Sequence, residues 1–504
     1  VRAVVVCLAF SLAAGTAACG KNEGAAAAKP PERSRIRLGV GVDPRVLPRL
    51  AATLVADSFV GIAANGRPVD RVVSKWEWSS DRKALTLHLR PNLSWHNGTP
   101  VTIEEFKQSL EAAVKVASGN VSYASVTAVK LDPEQPDAVR IELSRPEAFF
   151  LADLAGSTLQ HPADNQIGTG PFKYERVEGN TIRLAAFDLY YRKRPKIDEV
   201  DMTNFLEPRG SWAALMRGDV DGVHEIALNV ANLPIPDGQE SYQFTRPFFI
   251  QLAFNTSHPA LKNPVVRQAL SYGVDRRAVI ELAMNKQGQV AEGPIWPYHW
   301  AYSTAQKTYS HNLEAALLRL ESAGLKVKPG KPGRMPSRLH IRCLTPENNA
   351  LFEKIALVLQ KQLYEIGVDL EIVPLNGDDA GKRLDAGDFE TVLIQRTSGR
   401  SLAWTYSTFH SSVSKSGYSA ADKVLDGLRL TSNEADIRVA VADLQKIFHD
   451  DPPAIFIAWP KTARVVSTRF TVPPPAEETG REISKEAGRD VFSSLWMWYP
   501  TDPR

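Results

Sequence analysis

The chain has 504 residues, 43% of them hydrophobic and 23% charged, with a formal net charge of +3. This composition supports a packed core and excludes a mainly disordered chain. The length exceeds the ~250–300 residues at which single cores usually split, so two or three structural units are expected. The weak net charge, without basic runs interleaved with aromatics, argues against nucleic acid or an anionic membrane face as partner.

At the N-terminus, Arg2 precedes an apolar stretch, residues 3–14, and then small residues up to Cys19. That pattern predicts a secretory signal over residues 1–18, too short for a membrane-spanning helix of ~20 residues. Cys19 behind Ala17 and Ala18 resembles a lipoprotein acylation site, with Thr16 where leucine is usual. Lipidation of Cys19 is the expectation; a plain cleaved signal is the competing reading. Residues 19–33 are small, charged and proline-containing, which predicts a flexible tether. Beyond Cys19 only Cys343 remains, so no internal disulfide is expected. Cys343 lies in an alternating run and reads as a small buried hydrophobe.

Residues 34–41 form a first strand; Gly39 and Gly41 lack the third glycine and capped helix of a dinucleotide loop. Residues 84–90 alternate apolar and polar side chains, the period of a half-buried strand. Asn97-Gly98 is a turn signal. Thr102 followed by Glu105 is a capping box, so a helix starts there with Phe106 and Leu110 on one face. Gly168 and Gly170 are followed by no Lys-Ser/Thr, which excludes a phosphate loop. Residues 198–205 read as a strand and 211–216 as a helix. The Asp219–Gly222 turn lacks calcium-loop spacing.

Residues 251–255 read as a strand, and Asn263-Pro264 opens a helix. Arg267 and Asp275 are expected to be ion-pair or cap residues. A helix over 312–323 ends at Gly324, and 326–336 is a surface loop. Strand 339–344, helix 349–366 and strand 368–373 form a β-α-β unit, which favours a parallel pair. A strand over 391–395, a helix over 439–449 and a short strand over 454–458 follow.

Several of these blocks resemble one family. Trp78, Ser80, Asp81, Leu89, Arg90, Trp95, Asn97, Gly98, Pro100, Val101, Thr102 and Glu105 match its best-known tract. Gly168–Phe172, the 194–200 and 217–222 segments, and Asn255, Val266, Arg267, Ala269, Leu270 and Asp275 match later ones. So do Ala315, Leu317, Leu318, Ala323 and Gly324. From about residue 35 to about 460, the chain is similar to bacterial extracellular solute-binding proteins of the peptide/nickel-binding type, family 5.

The resemblance implies an α/β, two-lobed periplasmic-binding-protein fold (type II, cluster C). Lobe I would comprise residues 34–62, 163–245 and 465–504; an extra subdomain, 63–162; and lobe II, 246–464. Two strands would cross between the lobes as a hinge, and a small molecule or peptide would bind in the cleft. The implied partners are an ABC permease/ATPase complex and a membrane reached through lipidated Cys19. Periplasm or cell surface, a monomer, no cofactor and no catalysis are also expected. A sensor or adaptor on the same fold is the second reading. An envelope hydrolase is the third, disfavoured because no nucleophile elbow, His-Glu-x-x-His or phosphate loop occurs.

In peptide-binding members, an acid after a second-lobe strand holds the peptide ammonium. The matching segment here is Arg396-Thr397-Ser398-Gly399-Arg400-Ser401, with the anchor falling near Gly399. A buried ammonium without a carboxylate costs several kcal/mol, so the usual peptide pose is disfavoured. Arg396 and Arg400 suit an anionic group instead, with solvent-facing loop positions as the competing reading. Trp404 and Tyr406 either line the cleft or pack beneath it. Ser398, Phe249 and Asn255 complete the candidate contacts, and Asp388 or Asp422 are alternative acids. The ten histidines show no metal-ligand spacing, so no metal is expected.

Overall fold

A computed structural model describes residues 33–41, 45–116, 122–226, 235–306, 309–328, 336–473, 487–488 and 490–502. The expected signal, Cys19 and the tether before Arg33 lie outside the described residues, as does most of the 326–336 loop.

One mixed sheet of twelve strands organises the described chain. Its central member is Ala454–Ser467, fourteen residues long and almost wholly buried. The sequence suggested a strand only over 454–458, yet the observed strand runs on through Pro460, which has no backbone donor. The strand continues because it changes partners at that proline. Before Pro460 it pairs antiparallel with Phe248–Phe254; after it, with Gln239–Thr245. Those two partners join through Arg246 and Pro247, and the Arg246 amide donates to the Pro460 carbonyl at 2.9 Å. The chain thus crosses twice, side by side, with a proline on each strand at the crossing.

The two halves of the sheet have separate cores. On one side, Phe248–Phe254, Thr391–Thr397, Leu339–Pro346 and Val368–Leu375 follow outward from the central strand. Ile250, Leu252, Phe254, Leu270, Ile355 and Leu363 fill one core there. Phe249, Trp296, Phe448, Phe456 and Trp459 fill another. On the other side, Gly222–Val223, Arg35–Gly41, Glu199–Phe205, Thr181–Ala186 and Phe172–Glu178 pack with Leu495 and Trp498. The expected β-α-β unit is present: Leu339–Pro346 and Val368–Leu375 are parallel and flank helix Ala350–Glu365. Cys343 is buried and free.

A separate four-stranded antiparallel sheet (Val73–Trp78, Ala84–Leu89, Ala138–Leu143, Val126–Leu131) carries the sequence tract singled out above. Helix Ile103–Val116 packs Phe106 and Leu110 onto Leu85 and Leu87. The capping box is reciprocal: the Glu105 amide donates to Thr102 Oγ1 at 3.2 Å, and the Thr102 amide to Glu105 Oε2 at 2.9 Å. Glu105 Oε2 also accepts from Trp95 Nε1 at 3.0 Å. Gly98 closes its turn at φ +86°, a conformation that favours glycine. One expectation needs correction: Ala84–Leu89 is not half-buried. Its first five residues are all buried, because it is a central strand flanked on both edges.

Other matched residues are also structural. Arg267, fully buried, donates to the carbonyls of Pro452, Leu261 and Lys262 and pairs with Asp451. Asp275 caps helix Arg276–Ala283 through the amides of Arg277 and Ala278. Gly168 and Gly170 sit against the end of helix Leu47–Val55. A Cβ at Gly170 would lie 2.6 Å from the Leu54 carbonyl oxygen, and one at Gly168 would collide with that of Val55.

Candidate functional site

Strand Thr391–Thr397 ends in a turn held to the crossing. The buried Ser398 donates from its amide (2.8 Å) and hydroxyl (3.2 Å) to the Pro247 carbonyl. Gly399 and Arg400 then take left-handed backbone angles, φ +56° and +61°. Glycine does so freely, whereas arginine pays a steric cost of ~1 kcal/mol. Helix Ala403–Phe409 follows and presents Trp404 and Tyr406.

These residues form one wall of a cavity of about 580 Å³. Ser398, Gly399, Ser401, Trp404, Tyr406 and Arg429 line it from one side. Ser58, Gly61, Arg71, Phe149 and Asp153 line it from the other. Direct contacts bound it. At one margin the Arg429 guanidinium pairs with Glu147, whose side chain is fully buried, and the Ala148 amide donates to the Arg429 carbonyl at 2.6 Å. At the other, the Ala64–Arg67 turn meets the segment around Trp296. Trp296 Nε1 donates to the Ala64 carbonyl at 2.8 Å, and the Trp300 amide to that of Asn65 at 2.9 Å. Arg67 pairs with Glu434 at 2.6 Å. Gly66 permits this approach; a Cβ there would collide with the His299 ring and the Arg400 carbonyl.

The aromatic wall is supported from behind. Tyr406 stacks on His410 with ring centres 4.2 Å apart, and its hydroxyl donates to Asp426 at 3.2 Å. The Arg429 guanidinium lies 4.3 Å from the Tyr406 ring centre. Trp404 leans on Phe249 at 5.2 Å, and its indole Nε1, sequestered from solvent, has no hydrogen-bond partner. Burial pushes the Glu147 carboxyl above the usual range, and its hydrogen bond with Arg429 pulls it part of the way back.

Four of the eight candidate contact residues line the cavity: Ser398, Gly399, Trp404 and Tyr406. The other four do not. Phe249 is fully buried in the aromatic core beneath Trp404. Asn255 spends its amide on the carbonyls of Gly387 and Phe389, at 3.0 and 2.8 Å. Arg396 is solvent-accessible yet walled by protein, which lowers its pKa. Arg400 turns toward Trp296, 6.0 Å from the ring centre, with a buried Nε that has no partner. Burial lowers its pKa too, partly offset by Asp490. The alternative acids are committed elsewhere, Asp388 to Arg383 and Asp422 to the amide and hydroxyl of Ser411.

Three charged residues of the cavity, Arg71, Asp153 and Arg429, were not anticipated. No local pattern marks them. Arg71 follows a short hairpin and Asp153 ends a four-residue helix, and only long-range packing brings them to the wall. Among the described residues, no group of three or more His, Cys, Asp or Glu could hold a metal ion.

A family model for "Bacterial extracellular solute-binding proteins, family 5 Middle" matches residues 67–418. The dipeptide-binding protein of Escherichia coli K12 is 25% identical over 439 residues, covering 77% of this chain and 80% of its own. Two solved structures share the fold. NikA from Brucella suis, in complex with Fe(III)-EDTA, superposes with a TM-score of 0.79 at 18% identity, over 93% of this chain and 100% of its own. AgaA from A. tumefaciens R10, in complex with agropinic acid, gives 0.72 at 21% identity, over 93% and 99%.

Proposed function

Because this chain belongs to the bacterial extracellular solute-binding proteins of family 5, we propose that it is the receptor of an ABC importer, capturing a peptide or other small organic solute by closure of two lobes. The observation that carries this reading is the cavity of about 580 Å³, a volume typical of small-molecule sites. It lies between walls from separate parts of the chain, beside the paired strand crossings. Lobe I comprises residues 34–62, 163–245 and 465–504; the extra subdomain 63–162; and lobe II 246–464. The crossings at Arg246-Pro247 and Pro460-Lys461 are the hinge.

Capture requires no covalent chemistry. In the open state, the margin contacts Glu147–Arg429 and Ala64–Trp296 separate and solute enters. Closure re-forms them and excludes water, and solute shifts the population toward the closed form. Ser398, Gly399, Trp404 and Tyr406 contact the solute. Phe249 backs Trp404, while Arg396 and Arg400 flank the loop at its rim. Acylation at Cys19 tethers the receptor to the membrane at the periplasmic face or cell surface, and it works there as a monomer.

Thermal shift against di- to pentapeptides, organic anions, chelates and sugars tests this reading. A ligand raises Tm by mass action and reduces the radius of gyration in solution scattering. No shift with any class would remove the transport assignment. A sensor on the same scaffold would bind solute equally well. Permease and ATPase genes beside this one separate the two roles.

A further inference from the structure

Of the charged side chains in the cavity wall, one cation, Arg71, makes no close ion pair, and Asp57 faces it only at longer range. Arg429 is committed to Glu147 and to the face of Tyr406. Arg71 has no carboxylate within ion-pair distance among the described residues; its guanidinium makes one hydrogen bond, from Nη1 to the Asp70 carbonyl at 3.2 Å. Its two arginine neighbours are engaged otherwise. Arg90 pairs with Asp70 and donates to the Arg71 carbonyl at 2.6 Å, and Arg192 donates to the Asp70 carbonyl at 3.3 Å.

Gly61 sets where the Arg71 head lies. A Cβ at Gly61 would stand 3.2 Å from Nε and 3.3 Å from Cζ, so the guanidinium rests against bare backbone in the cavity wall. Both Gly61 and Arg71 line the cavity. Most of the five guanidinium N–H groups therefore have no acceptor among the described residues, and the opposite wall presents the side chains of Trp404 and Tyr406. Arg71 is part-exposed and lines the cavity, so an acceptor entering there can reach these groups. A planar, doubly accepting anion matches a guanidinium fork in charge and geometry.

We propose that Arg71 is a specificity-determining residue of the cavity and that the solute carries a carboxylate, which seats on its guanidinium opposite the Trp404–Tyr406 wall. The assignment rests on the receptor reading above and narrows its ligand class from small organic solutes to organic acids, including peptides held by their C-terminal carboxylate. It also moves anion recognition away from Arg396 and Arg400, which flank the loop without lining the cavity.

A pair of probes differing only in charge tests this. 4-Fluorohippurate and its neutral amide are compared by 19F NMR on the intact chain. Line broadening is expected for the acid, with at least tenfold weaker binding of the amide. In Arg71→Gln the acid should fall to the level of the amide, and Arg71→Lys should recover part of the loss through its point charge. The Tm of each free variant, measured in parallel, reports whether the fold is intact. Equal binding of acid and amide to the wild-type protein, absence of acid binding, or undiminished acid binding in a folded Arg71→Gln would overturn the assignment. If the acid fails while a neutral sugar or peptide amide raises Tm, the receptor reading stands and the carboxylate site falls. If nothing in either experiment binds, both fall.

Discussion

The tract around Trp95 and the wall around Trp404 are both rich in aromatic and hydroxyl side chains, yet they use them oppositely. In the tract, polar groups are spent internally: Trp95 Nε1 on Glu105, Glu105 on the Thr102 amide, and Thr102 back on Glu105. At the wall, Trp404 Nε1 has no partner and Arg71 no close ion pair, and Arg400 Nε, off the cavity in the same turn, is also without a partner. Groups satisfied in this way have nothing left to give a solute (His88 Nε2, buried without a partner, is the exception in the tract), whereas unsatisfied ones beside a cavity do. Recognisable sequence and the proposed solute wall therefore occupy different places in this chain.

Substitutions can break this contrast, and the largest effect should come from the margin of the cavity. Arg429→Met removes the close partner of the buried Glu147 and leaves only Arg145, at 3.9 Å, as counter-ion among the described residues. The cost of about 3–5 kcal/mol for breaking a buried pair falls on the closed form, so solute binding should be lost. In the tract, Phe106→Ala empties a fully buried site and should also cost about 3–5 kcal/mol, but leave the order of preference among solutes unchanged. A changed preference would mean that the tract touches ligand. At the wall the pattern should invert. Trp404→Phe removes a donor that has no partner in the protein, so urea midpoints should shift little while solute affinity falls about tenfold, the equivalent of ~1.4 kcal/mol.

Asp57 sharpens the contrast through pH. It lies beneath the cavity wall, facing Arg71, Arg90, Arg192, Tyr190 and Tyr191, and one carboxylate oxygen has no partner. Burial raises its pKa to about 6, against partial opposition from the arginines. A folded pKa above the unfolded value contributes stability that is complete below pH ~4 and lost as pH rises through ~6. Asp57→Asn should therefore be more stable than wild type at pH 7.5, by on the order of 2 kcal/mol, and not at pH 4. Equal pH profiles would show that Asp57 is solvated. The smallest effect belongs to the helix cap: Thr102→Ala should cost about 1 kcal/mol, with binding unchanged.

Local patterns were legible wherever structure is local. The capping box at Thr102, the Asn97-Gly98 turn, the cap at Asp275 and the parallel pair around helix Ala350–Glu365 all follow from short spacings. Two features were not. The strand expected over 454–458 runs on to Ser467, and the change of partner from Phe248–Phe254 to Gln239–Thr245 at Pro460 explains why it continues. Arg71 and Asp153 carry no signal in their neighbours, because their meeting in one cavity depends on packing between segments far apart in the sequence. The loop at Ser398 lies between these cases. Its departure from the peptide-binding pattern pointed to a turn that lines the cavity, but strand alternation sends Arg396 away from the cavity that Thr397 and Ser398 line.

The central claim is that solute is held against the Trp404 wall, and native mass spectrometry of protein purified from its own host tests it most directly. We predict a small-molecule adduct on the wild-type protein, retained by Thr102→Ala and lost in Trp404→Ala. No adduct on the wild type, or the same adduct at undiminished occupancy in Trp404→Ala, would contradict the account.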